Sequence, residues 1–194
     1  AHNNTGQQGA GPDIRTCAGW ASWGRGDELT TIAVLDEGIQ LDHPDLQANI
    51  VAASYNTQTG TSPSVVHGPH GTACAGIVAA RANNNLGVAG VAPDCSLMSI
   101  SHNFDISSTQ DLADGINWAV QNGADVISNS WGGGAPAQIM DDAISNALNN
   151  GRGGLGTVMV FSSGNNDGAV NYPANSNSAI ITVGAMSPCG ERKT

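Results

Sequence analysis

The feature that most constrains the fold of this chain is a series of short apolar segments separated by segments with helical periodicity. A short, mostly apolar run is typical of a parallel strand that is covered on both faces. The runs predicted to be strands are TTIAVLD (30–36), SLMSIS (96–101), DVISNS (125–130), TVMVFSS (157–163) and AIITVGA (179–185). Their alternation with helical segments predicts an α/β domain.

Two of the intervening segments have the spacing of amphipathic helices. In residues 107–123, Ser108 begins a capping-box pattern and Gly123 is placed to end the helix. Residues 135–151 repeat the design and stop at Gly151. Strand–helix–strand alternation implies right-handed crossovers and an open, mainly parallel sheet with helices on both faces. Ligands of such sheets bind at the carboxyl ends of the strands.

Length and composition limit the functional classes. We predict one domain over residues 1–194, with the polar residues 1–13 as a flexible leader. No run of about 18 apolar residues is present, so no transmembrane segment is predicted. The net charge of −10 disfavours nucleic acid and anionic membranes as partners, because phosphate binding depends on basic clusters. The same acidic, lysine-poor composition favours a secreted or otherwise extracytoplasmic protein.

The cysteines have no metal-binding CxxC spacing and are too scattered for a disulfide scaffold. Their pairing stays open, since four thiols allow three complete pairings. They are Cys17, Cys74, Cys95 and Cys189.

Three polar residues follow the predicted strands or begin a helix. Asp36 ends the first run, and alone it could be a helix cap or a turn former. His70 precedes a small-residue helical segment, where it could start the helix or bind a metal, although His67 on a Gly-Pro turn would be a poor zinc partner. Asn165 lies in SSGNNDG, which could be a simple turn. Together, an acid, an imidazole and an amide donor form a set suited to acyl transfer.

Five sequence blocks carry a resemblance to a known family. IAVLDEGIQLDHPDL, HGTACAGIVAA, GVAGVAP, DVISNSWGGG and FSSGN resemble, in this order, conserved blocks of the subtilisin-like serine proteases, the subtilases. The match runs from about residue 14 to 187 with consistent spacing. The resemblance implies a three-layer subtilisin-like fold and a serine endopeptidase that hydrolyses protein or peptide substrates.

The resemblance also implies a role for each matching residue. Asp36 would be the catalytic acid, His70 the general base, and Asn165 the side-chain half of the oxyanion hole. Two backbone segments would hold an extended substrate by strand addition. One wall would be Ser130, Trp131, Gly132 and Gly133, and the opposite wall Ser162, Ser163 and Gly164.

Residues 149–165 and Trp131 resemble the kexin/furin branch in particular. In that branch, acidic residues after the Trp-Gly help to select basic side chains at the cleavage point. This chain reads GGAPA at 133–137 instead. We therefore expect broader cleavage than strict Arg/Lys specificity.

A structural calcium site is implied by a second match. Asp45 and the loop ANNNLGV (82–88) resemble the family's high-affinity Ca²⁺ site, and their oxygen donors suit a hard cation. The expected ligands are Asp45, Asn84, Leu86 and Val88. The loop is one residue longer than the common family form, which leaves open the choice among three consecutive asparagines, 83–85. An ordinary Asn/Gly turn is the alternative.

Cys74 is predicted to lie one helical turn below His70. The Cys74 thiol could be a nucleophile or a packed, non-catalytic group. A nucleophilic thiolate would have to be exposed and face the imidazole. A packed, non-catalytic thiol is the interpretation favoured by the family resemblance.

The family's nucleophile is not found among the 194 residues. Subtilases carry the catalytic serine in a late Gly-Thr-Ser-Met-Ala-type segment, whereas this sequence closes with GAMSPCGERKT. None of the serines in this chain lies in such a motif. We expect the serine on a separate C-terminal segment or in a further part of a longer polypeptide, with the C-terminal portion of the fold missing here. Residues 1–194 alone are then predicted to be inactive.

Two alternatives belong to other functional classes. A catalytically inactive subtilase-fold protein would bind peptides or act as a scaffold, but the intact Asp36, His70 and Asn165 favour an enzyme. A nucleotide-binding protein on a similar sheet is disfavoured, because GGGAP has no lysine or Walker pattern.

Overall fold

A six-stranded parallel sheet organises the protein, whose computed structural model describes residues 14–106 and 108–187. The strands are β1 (Thr31–Asp36), β2 (Ile50–Asn56), β3 (Ser96–Ser101), β4 (Val126–Asn129), β5 (Val158–Ser162) and β6 (Ile181–Val183). Their order is β2-β3-β1-β4-β5-β6. The predicted leader, 1–13, lies outside the described residues.

All five predicted strands are present, and β2 was not predicted. The sequence of β2, IVAASYN, has small and polar residues at its centre instead of an apolar run. Its pairing with β3 is irregular between Ile50 and Ser54. An edge position explains this composition, because an edge strand needs less apolar surface than a central one.

Four helices and one short 3₁₀ turn are described. The helices are α1 (Thr16–Trp23), α2 (His70–Ala79), α3 (Thr109–Gln121) and α4 (Gln138–Gly154), and the 3₁₀ turn is Phe104–Ile106. The predicted N-cap of α3 is confirmed, since Ser108 Oγ accepts the backbone N–H of Asp111 at 3.0 Å. Gly123 follows α3 with φ of 86°, as a C-terminal glycine should. Regular helical dihedrals in α4 are lost at Gly151, the predicted stop.

The helices cover both faces of the sheet, which confirms the three-layer α/β fold. The amphipathic helices α3 and α4 pack on one face, where their buried residues join side chains such as Leu35, Met98 and Phe161. The short helix α2 covers the other face of β1 and β3 through Ala75 and Ala79. No helix in the described part of the chain is both long and apolar enough to cross a membrane.

The central strand β1 positions the residues of the predicted site. It pairs with β3 on one side and with β4 on the other. After β1 the chain forms β2 and β3 on one side of this strand and then crosses to β4 on the other side. This reversal of direction creates a crevice at the carboxyl ends of the strands. Asp36 ends β1, Ser130 follows β4, and Ser162 ends β5. The fold thus brings segments far apart in sequence to one edge of the sheet.

Candidate active site

Asp36 and His70 form a direct pair at the end of β1. The Nδ1–H of His70 donates to Asp36 Oδ1 at 2.8 Å. The same oxygen accepts the backbone N–H of Glu37 at 2.8 Å. The Asp36 side chain is only 2% exposed, whereas that of His70 is 55% exposed. A buried carboxylate therefore orients a half-exposed ring. With the proton held at Nδ1, the other ring nitrogen, Nε2, can accept a proton.

The start of α2 is fixed against the loop that follows β1. The backbone N–H of His70 donates to Glu37 Oε2 at 3.1 Å, which satisfies one of the unpaired donors of the helix start. A Cβ at Gly71 would lie 2.6 Å from the carbonyl oxygen of Gly38. Only a glycine at 71 permits this close approach. The sequence VLDEG (34–38) marked Asp36, but it gave no signal for the role of the Glu37 side chain.

A pocket of about 400 Å³ lies beside this pair. Its lining residues are Ser130, Trp131, Gly132, Ser162, Gly164, Asn165, Asn166 and Asn171. Both predicted substrate walls and the predicted amide donor, Asn165, therefore border one cavity. Gly133 and Ser163 are not among the lining residues: their backbone N–H groups donate to Tyr172 O at 2.7 Å and to Val183 O at 2.9 Å.

Ser130 connects the Asp36–His70 pair with the pocket. The thiol of Cys74 donates to Ser130 Oγ at 3.5 Å and lies 3.7 Å from His70 Nδ1. The next residue, Trp131, is held on the central strand, because its indole N–H donates to Leu35 O at 3.0 Å. An acid, a base and an amide-lined pocket with an extended backbone wall are the parts that acyl transfer to water requires.

The sequence model of the Subtilase family matches residues 27–194. The chain belongs to the subtilase family.

Individual subtilases resemble this chain at moderate identity. It is 37% identical over 199 residues to a calcium-dependent protease of Trichormus variabilis, covering 89% of this chain and 29% of that protein. It is 38% identical over 155 residues to thermitase of Thermoactinomyces vulgaris, covering 78% of this chain and 53% of thermitase. With subtilisin E of Bacillus subtilis the identity is 34% over 169 residues, covering 83% of this chain and 42% of subtilisin E. The chain therefore spans about half or less of these relatives.

Cys74 lies one helical turn from His70 on α2, as its spacing predicted. Its sulfur is 3.7 Å from Nδ1 and 3.9 Å from Nε2 of the ring. Burial raises the pKa of the Cys74 thiol, and the nearby negative charge of Asp36 adds to this, although the hydrogen bond with Ser130 opposes it. A raised pKa disfavours the thiolate at neutral pH, so the geometry does not describe an activated cysteine nucleophile.

The residues of the predicted calcium site are also brought together. The buried Asp45 accepts Asn84 Nδ2–H on Oδ1 at 2.7 Å and the backbone N–H of Val88 on Oδ2 at 2.9 Å. Asn84 Oδ1 accepts the backbone N–H of Leu86 at 3.1 Å. A Cβ at Gly87 would overlap Asp45 Oδ2, so the loop is wrapped closely around this carboxylate. Of the three consecutive asparagines, Asn84 is the one that contacts Asp45.

The cysteines give no disulfide within the described part of the chain. Cys17, Cys74 and Cys95 are free thiols. Cys189 lies outside the described residues.

Two pocket residues were not predicted from the sequence. Asn166 and Asn171 complete the lining of the pocket. Asn166 could have been found from its position next to Asn165. Asn171 had no signal, because it enters the pocket only through the turn that precedes Pro173, where the backbone returns to the Gly132–Gly133 segment.

Proposed function

We propose that this chain supplies the acid, the base and much of the substrate-binding surface of a serine endopeptidase that hydrolyses proteins or peptides. The observation that carries the proposal is the 2.8 Å hydrogen bond between His70 Nδ1 and the buried Asp36, beside a pocket bordered by Asn165. Membership of the subtilase family supports the same reaction.

The chemistry follows from the protonation state of the ring. Because Nδ1 donates to Asp36, Nε2 accepts the proton of a serine hydroxyl, and the serine oxygen attacks the peptide carbonyl. Asp36 stabilises the imidazolium that forms. The Asn165 amide donates to the oxygen of the tetrahedral intermediate, where negative charge develops. Nε2–H then protonates the leaving amine, and water releases the acyl group by the same steps.

The serine in this mechanism lies outside residues 1–194. In the described residues, His70 bonds to Asp36, Glu37 and Cys74 and to no serine hydroxyl. Ser130 and Ser162 belong to the pocket walls, and the Ser130 hydroxyl already accepts the Cys74 thiol. A further segment, on the same polypeptide or on a separate chain, would bring the nucleophile to Nε2. Residues 1–194 alone are then inactive.

The substrate is an extended peptide with no requirement for a basic side chain. Ser130–Gly132 and the 162–164 segment would pair with its main chain. None of the residues lining the pocket is charged. A lysine or arginine side chain of the substrate that entered this pocket would therefore contact polar groups but no negative charge. This favours the broader cleavage expected from the sequence.

Calcium is proposed as a structural ion at the 82–88 loop. The donor types fit, because a carboxylate, an amide oxygen and the carbonyls of Leu86 and Val88 are ligands that Ca²⁺ prefers. Binding requires Asn84 to present its amide oxygen instead of the Nδ2 group that now contacts Asp45. Calcium would hold the loop and take no part in the proton transfers. An extracytoplasmic location stays a prediction from the sequence.

The test compares the complete protein containing this sequence with the 194-residue chain. We expect the complete protein to hydrolyse a denatured protein and a serine-directed phosphonate to label one serine outside residues 1–194. We expect His70→Ala to abolish turnover, and the 194-residue chain to be inactive. Strong turnover with the label inside residues 1–194 would contradict the division of the active site. A complete protein that binds peptides without cleaving them would establish the scaffold function instead.

A further inference from the structure

Three different metal-ligating side chains meet at the start of α2. One ligand atom each from Asp36, His70 and Cys74 lies within 4.8 Å of the others. We propose that these three residues form a Zn²⁺ site, and that Zn²⁺ bound there blocks the base. Zinc binding itself does not depend on the proposed function, whereas inhibition by zinc does.

The distances suit a tetrahedral ion. Zn–S and Zn–N bonds of about 2.3 and 2.0–2.1 Å place the sulfur and nitrogen ligands about 3.5 Å apart at a tetrahedral angle. The Cys74 sulfur is 3.7 Å from His70 Nδ1. The Nδ1–Oδ1 distance of 2.8 Å is that of a hydrogen bond and must lengthen by about half an ångström. The half-exposed His70 ring is the group that can make this movement.

A second observation independently indicates a cation. Asp36 Oδ2 is buried and has no hydrogen-bond partner in the described part of the chain. Buried carboxylate oxygens normally have a hydrogen-bond partner. Because Asp36 Oδ2 has none among the described residues, a cation can bind to it without displacing a hydrogen bond. The site is also reachable, because His70 is exposed and Cys74 is half-buried. Ser130 Oγ is 3.5 Å from the sulfur, and water can fill the fourth coordination position.

The ligand set selects the ion. A thiolate with an imidazole and one carboxylate suits Zn²⁺, whereas Ca²⁺ and Mg²⁺ prefer oxygen ligands. Binding releases the Cys74 thiol proton to the buffer and moves the His70 proton from Nδ1 to Nε2, so that the thiolate sulfur and Nδ1 bind the metal. Zinc affinity should consequently increase with pH.

Cobalt(II) provides a readout that needs no enzymatic activity. Added to the 194-residue chain, Co²⁺ should give a near-ultraviolet thiolate-to-metal absorption that Zn²⁺ removes and excess Ca²⁺ does not. Cys17→Ser is the matched control, because Cys17 is an exposed free thiol outside the cluster. It should retain the absorption. Cys74→Ser should lose it and bind Zn²⁺ more than about 100-fold more weakly, since even the loss of an outer partner costs about 10–100-fold.

The outcomes separate this proposal from the proposed function. An absorption that persists in Cys74→Ser, or that is absent from the wild type, would overturn the zinc site. Cys74→Ala repeats the test if circular dichroism shows that the serine variant is unfolded. In the active complete protein, Zn²⁺ should inhibit the wild type and leave Cys74→Ser active. A cobalt absorption in a complete protein without protease activity would retain the metal site and refute the protease function.

Discussion

His102 allows a quantitative prediction about stability beneath the active site. It directly follows β3 and is fully buried. Its backbone N–H donates to Asp36 O at 2.8 Å. Its Nδ1 is 2.8 Å from Thr57 Oγ1 and accepts from Gln58 Nε2 at 2.9 Å. The orientation of the Gln58 amide is fixed because Gln58 Oε1 accepts the Asn103 N–H at 3.0 Å. Nδ1 therefore carries no proton in the folded protein, and a proton there would face an N–H donor.

The magnitude follows from the pKa. Burial lowers the pKa of His102 from 6.5 to about 4; Asp111 opposes this shift, and His67 adds to it. The unfolded chain takes up the proton near pH 6.5, whereas the folded protein takes it up only near pH 4. The free energy of unfolding therefore decreases as the pH falls from 6.5 to 4, by about 3 kcal/mol at 1.36 kcal/mol for each pKa unit. Above pH 6.5 the contribution is fully present.

The variant His102→Asn removes the titration and keeps an oxygen that can accept the Gln58 amide. Urea unfolding of both proteins at pH 7, 5.5 and 4 measures the difference. Between pH 7 and pH 4 the wild type should lose about 3 kcal/mol more than the variant. Carboxylates contribute equally to both proteins and cancel in this comparison. His67→Asn, at an exposed position, should lose nearly as much as the wild type and far more than His102→Asn, because His67 makes the smallest of the contributions to the His102 shift. Equal losses in wild type and His102→Asn would refute the argument.

Four further predictions concern the active site and its support. In the complete protein, Asp36→Asn should lower kcat about 10⁴-fold, because the neutral amide neither fixes the ring nor stabilises its charge, as steady-state kinetics will measure. Asn165→Gly should lower kcat about 10²–10³-fold with little change in KM in the same assay. Gly71→Ala should destabilise the fold by about 1–3 kcal/mol in urea unfolding, whereas Gly76→Ala, on the same helix and with open space around it, should not. Asp45→Asn should abolish the increase in Tm that Ca²⁺ gives the wild type, and an equal increase in both would exclude this site.

The central strands could be predicted from the sequence because strands that are buried on both faces consist mostly of apolar residues. β1 and β3 are covered on both faces, so TIAVLD and SLMSIS read as apolar runs. β2 at the edge is irregular and half-exposed, and the same rule missed it. The caps of α3 were predictable because Ser108 and Gly123 act on backbone groups within four residues of themselves. A helix cap can be predicted from the sequence because the residue and the backbone group that it contacts are close together in the chain.

The residues of the candidate site could be proposed from their type, whereas the contacts that support them could not. Asp36 and His70 stand at positions whose chemistry is limited, and the family pattern assigned their roles. The carboxylate of Glu37 has its function only through the position of α2, which is set by close backbone packing at Gly71. Asn171 reaches the pocket through a tertiary turn. Neither contact leaves a periodic or short-range signal in the sequence.

The Asp36 carboxylate links the catalytic and the metal-binding proposals physically. One of its oxygens holds His70 and the other is buried without a partner in the described residues, so its negative charge is only partly compensated. That incomplete compensation strengthens its attraction for an imidazolium formed next to it, because the surroundings are poorly solvated. The same field attracts a divalent cation, and the Cys74 sulfur lies where such an ion needs a soft ligand. A proton and Zn²⁺ must then compete for one ring, and inhibition by zinc should weaken as the pH falls.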